Sequence, residues 1–186
     1  VIALRASEKL QERCHSVILI NCAQRAMDDK RLGEQKVLMQ WIRPLIKRMV
    51  KSRYLSQGLF RNAANPYVIK RVLNQAYPSK NNINDELINM LLEPAKREGA
   101  AESFRGFINL FDDYLATNLL ERITMPVHLI WGEKDPWEPI EEAKRWESIY
   151  KCVKSLDVIP KAGHCPHDEY PDSVNKILLQ IIQQTA

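Results

Sequence analysis

Three short apolar runs constrain this chain more than any other feature: Ser16-Val17-Ile18-Leu19-Ile20-Asn21, Val127-His128-Leu129-Ile130-Trp131 and the shorter Ser155-Leu156-Asp157-Val158-Ile159-Pro160. The first two are nearly continuous in apolar character, as expected of a parallel strand covered on both faces. Helical patterns separate the last two runs and close the chain. Glu138 to Tyr150 carries Ile140, Ala143, Trp146 and Ile149 at helical spacing. Tyr170 to Gln183 places Val174, Ile177, Leu178, Ile181 and Ile182 on one stripe, with Pro171 near its start, where a missing amide proton is harmless. A further helix is predicted over Val1 to Arg13, ahead of the first run. This order predicts a parallel sheet with helices on its faces. Right-handed crossovers then set the three strands side by side.

The stretch from 22 to 126 shows no strand signal. Gln35 to Leu55 is amphipathic, with Val37, Leu38, Trp41, Ile42, Leu45, Ile46, Met49 and Val50 as its apolar positions. Arg43, Lys47, Arg48, Lys51 and Arg53 make it basic, and Pro44 starts a second helix or kinks the first. Asn65-Pro66 and Tyr77-Pro78-Ser79 punctuate the chain beyond it. Tyr67 to Tyr77, Asn84 to Glu93 and Ala100 to Leu120 are the remaining helical candidates. Helices inserted between parallel strands make a lid over the sheet's carboxyl edge. The expected division is core over 1–33, helical lid over 34–120 and core again over 121–186. The basic stretch from Trp41 to Arg53 reads as a solvated lid face, with contact to anionic lipid or an amphiphilic substrate as the sharper alternative.

Composition excludes several classes. Of the 186 residues 45% are hydrophobic and 27% charged, an ordinary balance for a soluble globular chain. No apolar run approaches the roughly 20 residues that a bilayer demands. A net charge of +4 is too mild to argue for nucleic acid, and no nucleic-acid motif accompanies it. Cys14, Cys22, Cys152 and Cys165 form no C-x-x-C pair and no zinc spacing, and read as reduced thiols of an intracellular protein.

The chemistry sits where two of these strands end. In open parallel sheets, reactive groups occupy the loops after the strand C-termini. Trp131-Gly132-Glu133-Lys134-Asp135-Pro136-Trp137 places a carboxylate in one such loop, and Ala162-Gly163-His164-Cys165-Pro166 places an imidazole in the next. Acid before base is the order of a hydrolase triad whose nucleophile comes earlier. Histidine takes the nucleophile's proton and returns it to the leaving group; the acid fixes the tautomer and stabilises the imidazolium. Asp135 also reads as a cap for the helix beginning near Glu138. Glu133 is the rival acid. His164-Cys165-Pro166-His167 has metal-like spacing, but no third ligand stands at a credible distance along the chain. Asp168 and Glu169 read as dipole partners of the final helix. Trp131 reads as core, and Trp137 and Trp41 as walls of a substrate pocket. No G-x-S-x-G nucleophile elbow occurs, because none of the six glycines lies four positions from another. Ser7 and Ser16 are no substitutes, since neither sits on a sharp strand-to-helix turn.

At these residues the sequence resembles the α/β-hydrolase superfamily. More narrowly, Trp131-Gly132-Glu133-Lys134-Asp135-Pro136-Trp137-Glu138-Pro139-Ile140, Gly163-His164-Cys165-Pro166 with Asp168-Glu169, and Leu91-Leu92-Glu93-Pro94 with Gly99-Ala100-Ala101 resemble its plant and cyanobacterial branch of pheophytinases and chlorophyll dephytylases. The resemblance implies an α/β fold: the C-terminal part of an α/β hydrolase, about three parallel strands with flanking helices and an inserted lid. It makes Asp135 the triad acid and His164 the base, with a nucleophilic serine expected just before Val1. It implies a carboxylic-ester hydrolase with no cofactor and no metal, acting on a large apolar ester such as the phytyl ester of a chlorophyll-type pigment. It also suggests a cyanobacterial-cytoplasm or plastid address; peripheral membrane contact through the basic lid helix is the expectation from that helix's charge pattern. An aspartate nucleophile would instead give a dehalogenase or epoxide hydrolase, and a non-catalytic binding module on the same fold is the alternative from outside enzymology.

Overall fold

The computed structural model describes residues 1–22, 48, 52–113 and 116–185. The chain divides into two compact units: Val1–Gln24, Leu73–Ile83 and Leu115–Ala186 in one, Arg25–Val72 and Asn84–Tyr114 in the other.

The first unit is built on three parallel strands, β1 (Val17–Ile20), β2 (Val127–Gly132) and β3 (Val153–Ile159), in the spatial order β1-β2-β3. They coincide with the three apolar runs. Val17 pairs with Val127 and Ile20 with Ile130, while Trp131 pairs with Val158 and Gly132 with Ile159. β2 is flanked on both edges and all its residues are buried. That position explains why its sequence is apolar at every position but His128 instead of alternating.

Each strand sends alternate side chains to opposite faces. Val17, Leu19, Val127, Leu129, Trp131 and Val153 share one core with Leu4, Leu119, Leu120, Ala143 and Trp146. These come from helices α1 (Ile2–Leu10), α6 (Ala116–Leu120) and α7 (Ile140–Ile149). Ile130 and Ile159 form a second core with Val174 and Ile181 of α8 (Pro171–Thr185). Trp131 and Trp146 meet edge to face at 6.5 Å, and the Trp131 indole donates to the Glu138 carbonyl at 2.9 Å, so that the buried ring leaves no orphaned N–H. Trp131 is core, as expected.

The second unit contains α2 (Arg53–Ala63), most of α3 (Pro66–Ala76), α4 (Asp85–Ala95) and α5 (Ala100–Asp113). Asn65 and Asn84 use their side-chain oxygens to accept the amides of Val68 and Leu87, which starts α3 and α4 at the punctuation seen in the sequence. Phe60 and Phe104 pack at 5.2 Å between α2 and α5. Within the range Ala100 to Leu120, predicted as helical, the described residues form α5 and α6. Trp41 and most of the basic stretch Gln35 to Leu55 lie outside the described residues. Among the described residues no helix is long and apolar enough to cross a membrane.

Candidate active site

Three loops leave the carboxyl edge of the sheet side by side, and each supplies one polar side chain. Asp135 follows β2, His164 follows β3, and Asn21 follows β1. The loops can approach closely because of two glycines. A Cβ at Gly132 would run into the carbonyls of Gly163 and Ala162, and one at Gly163 into the Ala76 carbonyl and the Pro78 ring. Neither position has room for a side chain, whatever its chemistry.

Asp135 Oδ2 lies 2.8 Å from His164 Nδ1. The Asp135 side chain is fully buried, and that of His164 keeps 29% of its exposure. The same Oδ2 accepts Asn21 Nδ2 at 2.5 Å, while Oδ1 accepts the amides of Trp137 at 2.8 Å and Glu138 at 3.1 Å. A carboxylate only accepts, so the hydrogen in the contact with His164 belongs to Nδ1. Nε2 is then the ring's free lone pair, and it makes no hydrogen bond among the described residues. Trp137 packs edge to face against the His164 ring, with centroids 4.7 Å apart.

The two oxygens of Asp135 have different partners, and the cap expected for a helix near Glu138 is a turn instead. Oδ1 closes the turn at Pro136 and Oδ2 faces the imidazole. The helix α7 itself starts later, at Ile140 after Pro139, with no side-chain cap. The rival acid is turned elsewhere: Glu133 is exposed and its carboxylate accepts the Lys161 amide at 3.1 Å.

The His164 loop is anchored by residues the sequence did not single out for this task. The His164 amide donates to the Ala76 carbonyl at 2.8 Å. Glu169, expected to serve the dipole of the last helix, is buried and faces the other way. Its carboxylate accepts the Gly163 amide at 2.6 Å, the Ser79 hydroxyl at 2.6 Å and the Ser79 amide at 3.2 Å. It ties the loop carrying His164 to the Pro78-Ser79 turn. Its place directly before Tyr170-Pro171 signalled a helix terminus, and nothing nearby in sequence pointed to Ser79.

Cys165 follows His164 directly, and its surroundings disfavour the thiolate. Burial pushes its thiol up, and the negative charges of Asp168, Glu169 and Asp135 push the same way, against a contact with the Tyr77 hydroxyl that lowers it. Burial likewise raises Tyr77, helped by Cys165 and Asp168. Both groups therefore stay protonated and neutral at neutral pH.

The model of the alpha/beta hydrolase family matches residues 1–177. Pheophytinase from the chloroplast of Arabidopsis thaliana is 25% identical over 128 residues, which is 67% of this chain and 26% of that protein. Serine hydrolase BPHL of Homo sapiens is 32% identical over 84 residues, 44% of this chain and 28% of that protein. A 2-hydroxy-6-oxononadienedioate/2-hydroxy-6-oxononatrienedioate hydrolase of Pseudomonas sp is 27% identical over 136 residues, covering 69% of this chain and 45% of that one. The chain thus spans less than half the length of each of these relatives. Among solved structures, the meta-cleavage product hydrolase CumD of Pseudomonas fluorescens superposes with a TM-score of 0.71 at 15% identity, over all of this chain and 61% of that one. Matched along nearly its whole length and built on the same sheet, this chain belongs to the alpha/beta hydrolase family.

Proposed function

We propose that this chain carries the acid and base of a serine carboxylic-ester hydrolase, with Asp135 as acid and His164 as base. One observation carries the reading: the buried Asp135 carboxylate meets His164 Nδ1 at 2.8 Å at the carboxyl edge of a parallel sheet, and leaves Nε2 free. Nε2 takes the proton of a serine hydroxyl supplied from outside these 186 residues as that oxygen attacks the ester carbonyl. The imidazolium, held by Asp135, returns the proton to the departing alcohol. Water then attacks the acyl-enzyme with Nε2 again as base, releasing the acid and restoring the serine.

The substrate is a large apolar ester, with the phytyl ester of a chlorophyll-type pigment the first to try. Its support is the similarity to pheophytinase and the motif run from Trp131 to Ile140. Trp137, in contact with the base, and Trp41 are assigned as pocket walls. The insertion over 34–120 is assigned as lid, its basic stretch as a peripheral membrane contact, and the plastid or cyanobacterial cytoplasm as the address.

A fluorophosphonate probe applied to the intact gene product tests this. Covalent labelling of a serine, lost in His164→Gln, is expected, together with phytol release from the pigment ester. Absence of labelling favours a binding module. Turnover of an epoxide or haloalkane without serine labelling would point to an aspartate nucleophile.

A further inference from the structure

We propose that Asn21 is a positioning residue for the acid–base pair, holding Asp135 Oδ2 where His164 Nδ1 can reach it. The inference rests on the assignment of Asp135 and His164 as acid and base. Asn21 ends β1, its side chain is buried, and its backbone stands in the left-handed region at φ 41°, a conformation asparagine tolerates better than most residues. Its own amide continues the strand ladder by donating to Ile130 at 3.1 Å.

The side-chain amide is used completely. Oδ1 accepts the Gly132 amide at 2.9 Å; one Nδ2 proton goes to the Gly163 carbonyl at 3.1 Å and the other to Asp135 Oδ2 at 2.5 Å. A flipped amide would set its nitrogen against an N–H and its oxygen against two other oxygens, so the surroundings admit one orientation. Asn21 is thereby fastened to the backbone of both loops that carry the reacting groups. Its remaining proton is aimed at the oxygen that His164 shares.

That aim distinguishes positioning from general support. Oδ1 is held by two backbone amides of its own loop, and both oxygens turn together about the Cβ–Cγ bond, so the hydrogen bonds at Oδ1 and Oδ2 fix one torsion between them. At Oδ2, Asn21 supplies the hydrogen bond that does not come from His164, so the torsion is held from both ends of the carboxylate. Being neutral, it does so without adding a second negative charge beside the acid. Asp135 Oδ2 then stays in line with the ring, and the hydrogen stays on Nδ1, keeping the Nε2 lone pair free.

The test is nitrogen-15 NMR of the His164 ring in this chain, with Asn21→Leu as a near-isosteric variant lacking the amide. The unaltered chain should show one tautomer, with the proton on Nδ1, and a cross-peak between that proton and the Asn21 side-chain amide, since both point at one oxygen. Asn21→Leu should speed exchange of the Nδ1 proton about tenfold and bring in the Nε2–H tautomer. If the variant folds with ring shifts and exchange unchanged, or if the cross-peak is absent from the unaltered chain, the proposal is overturned. The cross-peak decides the matter should Asn21→Leu fail to fold. Asp135→Ala run in parallel separates the two readings. If it leaves the His164 ring unaffected, the acid–base assignment itself fails. If it alters the ring while Asn21→Leu does not, only the role of Asn21 falls.

Discussion

Glu169→Ala should be among the most damaging single changes in the core unit, and the structure says by how much. Glu169 is 5% exposed and its carboxylate accepts three donors: the Gly163 amide, the Ser79 hydroxyl and the Ser79 amide. A hydrogen bond to a charged group contributes about 1.5–3 kcal/mol, and a buried donor left unmet costs about 1–3 kcal/mol. Gly163 is buried and its amide has no water to turn to, whereas half-buried Ser79 can rotate its hydroxyl outward. The loss therefore concentrates at Gly163 with a smaller part at Ser79, for a total of about 3–5 kcal/mol. Glu169→Gln keeps an acceptor for Gly163 but sets an amide nitrogen against the Ser79 N–H, so about 1–2 kcal/mol is expected. Urea unfolding followed through buried Trp131 and Trp146, which lie in the same unit, reads both values. Ser79→Ala alone should cost about 1 kcal/mol, and almost nothing in the Glu169→Ala background, because its partner is already gone. Glu169→Ala within about 0.5 kcal/mol of the unaltered chain, or Gln as harmful as Ala, would refute the assignment of a buried three-point anchor.

The same geometry carries further expectations. Gly132→Ala should destabilise by about 1–3 kcal/mol in urea, since the new methyl meets backbone carbonyls on the neighbouring loop and cannot be accommodated by a rotamer change. In the active protein, Asp135→Asn should lower kcat on the order of 10⁴-fold by allowing the wrong His164 tautomer, measured by ester turnover. Cys165 should react with iodoacetamide at pH 8 about tenfold or more slowly than free cysteine, read by peptide mass spectrometry, because burial and neighbouring carboxylates disfavour the thiolate. His128 is buried on β2 with its pKa lowered by burial from 6.5, opposed by Asp157. The unfolded chain therefore binds its proton first, and stability falls as pH drops below about 6.5 through the lowered value. His128→Val should flatten that dependence between about pH 7.5 and 5.5 in urea unfolding.

Much of the architecture was readable because its causes are local. β2 is apolar at nearly every position since it has a strand on each edge and a core on each face, and that environment leaves its mark on consecutive residues. The final helix announces itself by a stripe at helical spacing after Pro171. Asp135 and His164 were found because strand ends place reactive loops at one edge, so that two separate motifs read together point to one spot. Glu169 shows the limit: its place before the final helix suggested a dipole partner, and nothing near it in sequence pointed to Ser79.

The sequence by itself thus determined the strand and helix order, the three-stranded parallel sheet, and the two strand-end loops that bring Asp135 and His164 to one edge, since hydrophobic periodicity and glycine-led loops are properties of neighbouring residues. Only tertiary structure decided which oxygen of Asp135 serves the imidazole and which serves the turn, that Glu133 points away, and that Asn21 and Glu169 hold the two loops. Those roles depend on partners brought together across the whole chain, Asn21 with Asp135 and Ser79 with Glu169. A hydrogen bond between side chains so distant in sequence imposes no spacing or periodicity near either one, so folding alone reveals it.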